Sequence, residues 1–74
     1  MAGEGGPLKG HAGFDAALLA MLAAPAEADA DYWRAVAKRF RDAAAIIEDL
    51  PTRRDAESRA AEADEIADAI GKRP

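Results

Sequence analysis

Apolar residues recur at Trp33, Val36, Phe40, Ala43, Ile47 and Leu50, at alternating intervals of three and four, and Pro51 stops the run. A seam of this period predicts one long amphipathic helix over residues 26–49 with one stripe to bury. Glu27, Asp29 and Asp31 near its start suit the positive end of the helix dipole. Proline cannot continue a helix, so the chain must turn at Pro51. Thr52 followed by Asp55 resembles a capping arrangement, and a further helix is predicted over 53–70 with Gly71 as its C-terminal cap. A connection as short as Leu50-Pro51-Thr52 makes the two helices antiparallel neighbours.

In a hairpin centred there, facing residue numbers sum to about 102. Ile47 then faces Ala56, Ala43 faces Ala60, Phe40 faces Ala63, Val36 faces Ile66, and Trp33 faces Ala69 or Ile70. Large side chains on one helix meet mostly alanine on the other, which lets the layers interdigitate. The predicted hairpin core is Trp33, Val36, Phe40, Ile66 and Ile70. The same rule brings Glu48 and Asp49 near Arg53 and Arg54, and Lys38, Arg39 and Arg41 near Glu62, Asp64 and Glu65. It also brings Arg34 near Asp68, and Asp29 and Asp31 near Lys72 and Arg73. Each exposed pair is worth roughly 0–1 kcal/mol, so the pattern acts mainly on register, because a slipped pairing opposes like charges.

Upstream, residues 1–13 hold five of the six glycines and predict a flexible arm that leaves residues 14–74 as one small helical domain. Residues 14–24 contain no helix breaker, and Phe14, Leu18, Met21 and Leu22 share a face. Pro25 ends this short helix. The expected fold is therefore all-α: an antiparallel helical hairpin preceded by a short helix, a three-helix mini-bundle. A helix over 14–24 covers only the Trp33 half of the hairpin. Ile46, Ile47 and Leu50 are then left uncovered, and with Leu19 and the off-seam Tyr32 they form the expected interface.

The run from Ala16 to Ala26 also resembles the end of a secretory signal, with a candidate cleavage site near Ala26. Lys9 is outweighed by Glu4 and Asp15, which is the wrong balance for a signal's basic start. The run is about half the roughly 20 residues that a membrane span needs, so no membrane anchor is expected. A cytoplasmic protein is the expectation, and the lack of cysteine fits a reducing compartment.

The chain of 74 residues has a formal charge of −4, which disfavours nucleic acid as a partner because such binding neutralises phosphates. Arg34, Lys38 and Arg41 form one basic stripe, but acidic residues of the last helix oppose it. His11 is the only histidine, Ser58 the only serine and Thr52 the only threonine, so no nucleophile–base constellation is expected. Glu62 and Glu65 have the spacing of a metal-bundle pair without its histidine. No catalytic, cofactor or metal residue is assigned, and the chain is not expected to be an enzyme.

The expected function is a non-enzymatic protein–protein interaction module, a small accessory or adaptor subunit that docks on a larger protein or self-associates. The alternative is a small acidic regulator, antitoxin-like or inhibitory, covering a basic partner. The alanine, arginine and aspartate bias and the helix order also resemble the helical docking segments at the ends of modular polyketide synthase subunits. That resemblance lies in composition and helix order, with no motif behind it. It implies a docking element of a modular multienzyme.

Overall fold

The computed structural model describes residues 11–72. They form three helices: α1 (His11–Leu22), α2 (Ala30–Ile46) and α3 (Leu50–Gly71). No strand occurs among the described residues. α2 packs extensively on α3, and α1 packs on α2. The predicted all-α hairpin with a preceding helix is the observed architecture.

Side chains set the start of α2 and both sides of the α2–α3 turn. Asp29 is extended and accepts a hydrogen bond from the Tyr32 N–H at 2.9 Å, so α2 starts at Ala30 and not at Ala26. A capping carboxylate satisfies an N–H that the first turn leaves unpaired, and this outweighs the helix propensity of the preceding alanines. At the hairpin, Asp49 takes the same role by accepting from the Thr52 N–H at 3.1 Å. α3 therefore begins at Leu50, three residues earlier than predicted, and the Thr52–Asp55 cap is not used. Pro51 sits in the first turn, where no intrahelical N–H is needed. α2 ends correspondingly early. Ile47 is extended, and its carbonyl accepts from Arg53 Nε at 3.0 Å and Nη2 at 2.8 Å. The turn is thus Ile47-Glu48-Asp49.

The α2–α3 register follows the charges in part. Arg34 Nη2 lies 3.3 Å from Asp68 Oδ1, and Arg41 pairs with Asp64. Lys38 instead pairs with Asp42 on its own helix, at 2.8 Å. Asp29 and Asp49 act as caps, and Arg53 serves the Ile47 carbonyl instead of a carboxylate. Arg73 lies outside the described residues.

Val36 and Phe40 are buried as predicted, but Trp33, Ile66 and Ile70 are only half-buried. The face that α3 turns to α2 is Ala56, Ala60, Ala63 and Ala67, a row at intervals of four, three and four, all at most 1% exposed. Ile66 precedes Ala67 by one residue, about 100° round the helix, and so sits at the flank. An all-alanine row lets α3 approach closely, and Phe40 and Ile47 fill the space as the largest fully buried side chains.

α1 corrects the expected arrangement most. It begins at His11, so residues 11–13 are helical and not part of an arm; residues 1–10 lie outside the described residues. It runs antiparallel to α2 along most of its length. Tyr32 Oη donates to the Ala20 carbonyl at 2.6 Å at one end, and the Phe14 and Phe40 rings meet edge-on at 5.7 Å in the middle. At the other end His11 Nε2 lies 3.1 Å from Asp49 Oδ1. Gly13 lies against α2 near Ala43, with room for a methyl group at ordinary contact, 3.7 Å from the Ala43 Cβ. The longer α1 reaches the end of the hairpin that was expected to be bare. Ile47, expected at the interface, is completely buried in the same cluster as Phe40 and Ala56.

Candidate interaction surface

Among the described residues, four large apolar side chains remain on the outside. Leu22 is 75% exposed, Leu19 67%, Ile46 54% and Leu50 48%. They form two groups. Leu19 and Leu22 lie toward the C-terminal end of α1. Ile46 is the last residue of α2 and Leu50 the first of α3, so they flank the hairpin turn.

α1 explains the first group. Its buried row is Phe14, Ala17, Leu18 and Met21, in contact with α2. Its outer row is Ala12, Ala16, Leu19 and, just past its end, Ala23, all exposed, with Asp15 the one acidic residue in the helix. A helix that is apolar all round is normally buried all round. Here one side faces water. Leu19, expected at an interface, is exposed on this side. Leu22 was expected on the buried face with Phe14, Leu18 and Met21, and instead it is exposed on the last turn of α1. Tyr32, also expected at the interface, is half-buried, with its hydroxyl committed to Ala20 and its ring edge-on to Trp33 at 5.8 Å.

A concave feature lies between α2 and α3. Arg41, Ala44, Ala45, Arg53, Glu57 and Ala60 line an open depression of about 550 Å³. Arg41 and Ala45 lie two residues from Ala43, about 200° round α2, so the depression faces away from α1. Its floor is alanine. Its rim is polar and largely committed: Arg41 to Asp64, and Arg53 to the Ile47 carbonyl. The basic stripe of Arg34, Lys38 and Arg41 is neutralised by Asp68, Asp42 and Asp64.

The groups capable of chemistry are dispersed. His11 is tied to Asp49, and its Nδ1 is buried without a partner among the described residues. The Thr52 hydroxyl holds the Asp49 carboxyl below the usual carboxylate range; partial burial opposes this, and the Thr52 N–H and His11 reinforce it. Ser58, Glu62 and Glu65 are exposed on α3. Among the described residues no three histidine or carboxylate side chains converge as metal ligands. No helix among them is long and apolar enough to cross a membrane.

The fold and its surface thus define a small antiparallel helical hairpin with a third helix laid along it, apolar on two outer patches. Comparison with family models, curated proteins and solved structures gives no match for this chain.

Proposed function

We propose that the chain is a protein–protein interaction module, an accessory or adaptor subunit whose partner is a protein. One observation carries this reading. Among the described residues Phe40 and Ile47 are the largest fully buried side chains, whereas four large apolar side chains are about half or more exposed, grouped on two patches. A domain that buries so little and exposes so much apolar surface gains stability from a partner. The acidic net charge and the pairing of Arg34 and Arg41 with Asp68 and Asp64 point to a protein and not to phosphate-rich ligands. The chain has no cysteine, which suits a cytoplasmic setting.

The test is retention of a protein on the tagged full-length chain in extracts of its native host, repeated with L19E/L22E and I46E/L50E. A stoichiometric protein, foreign or a second copy, should be held by the native chain and lost with at least one pair of changes while helicity is unaltered. Retention indifferent to both pairs, or none at all, would overturn the proposal.

A further inference from the structure

We infer that α1 is a lid, which opens from the hairpin as one unit and leaves α2 and α3 folded. Of the twelve buried apolar residues described, only Ala17 and Met21 belong to α1. The other ten lie on α2, on α3 and at Ile47 in the turn between them. The hairpin also has its own fastenings. Asp49 caps Thr52, Arg53 holds the Ile47 carbonyl, and Arg34 and Arg41 pair with Asp68 and Asp64. Each of these joins α2, α3 or their turn and stays made when α1 leaves.

α1 is held differently. Polar contacts clip its two ends, Tyr32 Oη to the Ala20 carbonyl at 2.6 Å and His11 Nε2 to Asp49 Oδ1 at 3.1 Å. Between the clips, Phe14 meets Phe40 and Gly13 lies beside Ala43. On the α3 side, Arg59 Nη1 approaches Met21 Sδ at 4.0 Å. The connection from Ala23 to Asp29 is the hinge. None of its residues is buried, and a turn closed by the Ala28 N–H on the Pro25 carbonyl at 3.1 Å lies within it. Local opening takes cooperative units with few buried apolar contacts, and α1 is such a unit. Opening uncovers Phe40 and Ala43, so the chain holds a third apolar surface besides the two exposed patches, covered by its own first helix.

Hydrogen exchange of the full chain, read amide by amide by nuclear magnetic resonance where closing outpaces exchange, tests this. The α1 amides from Asp15 to Leu22 should share one protection factor, at least tenfold below that of the best-protected amides of α2 and α3. Two glycine substitutions on exposed faces separate the units, because each weakens one helix about fivefold without touching a buried side chain. A61G in α3 should lower the protection of α2 and α3 about fivefold and leave that of α1 unchanged, since α3 is folded whether the lid is open or closed. A16G in α1 should lower the protection of α1 about fivefold. Equal protection in all three helices, a fall in α1 protection with A61G, or protection in α1 graded from the His11 end as in simple fraying would overturn the inference. The lid stands or falls on these data alone, and the retention experiment tests the interaction role separately.

Discussion

Asp49 joins three parts of the molecule. It caps α3 through the Thr52 N–H and faces His11 at the start of α1. Its folded-state pKa lies below that of an unfolded aspartate. A depressed carboxylate contributes stability that is fully present above the unfolded value and is lost as pH falls through the folded one. Thermal unfolding midpoints should therefore drop on acidification through the carboxylate range. D49N, which keeps a capping oxygen, should flatten that acid limb, whereas D49A should lower the midpoint at neutral pH as well. An unchanged acid limb in D49N would show that other carboxylates dominate. Gly13 gives a contrasting case. A methyl group there meets only Ala43 at 3.7 Å, so G13A should stabilise the protein by about 0.5–1 kcal/mol in chemical denaturation. At this scale the sequence was ambiguous. Asp49 and Thr52 both have the side chain of a cap, and nothing local says that Pro51 would be accepted inside the first turn of α3.

Among the elements, α2 and α3 were the most legible. Their seam is interrupted by charge on the outside, so periodicity alone picks the buried face, and Arg34 meets Asp68 as the hairpin rule requires. What the rule missed is a rotation of α3 that puts Ala67 inward and Ile66 at the flank. Alanine next to isoleucine gives no reason to choose the smaller side chain until close approach of the helices is known. The rotation has a measurable consequence. A63L should cost about 1–3 kcal/mol by overpacking a fully closed layer, and I66A distinctly less than the roughly 2–5 kcal/mol of a buried isoleucine. A costless A63L, or an I66A loss as large as that of a fully buried isoleucine, would contradict this packing. α1 was the least legible element. It is apolar on every side, so its period selects no face, and its glycine-flanked start concealed the turn that His11 and Gly13 add. That added turn is what reaches Asp49 and lets α1 run along most of α2. Tyr32 fixes its other end, and Y32F should cost about 1 kcal/mol by leaving the Ala20 carbonyl with one fewer partner.

For the whole molecule, the thin core and the exposed leucines belong together. Phe40 and Ile47 are the largest fully buried side chains, and F40A should remove about 3–5 kcal/mol. That matches the lower part of the roughly 4–11 kcal/mol expected of so short a chain, so F40A should be markedly less helical by circular dichroism at about 37 °C than the native chain. The missing apolar burial lies on the surface, at Leu19, Leu22, Ile46 and Leu50. The role proposed for the chain depends on these side chains being open when it is alone and covered when it is engaged. Nuclear magnetic resonance reads this directly, as relaxation of assigned leucine and isoleucine methyl groups by a soluble paramagnetic agent. In dilute full-length protein, Leu19, Leu22, Ile46 and Leu50 should relax strongly while Ile47 is protected. At high concentration, or with a retained partner added, at least one of the two exposed groups should become protected. Methyl groups that are shielded in the dilute protein, or that stay open under every condition, would contradict the account.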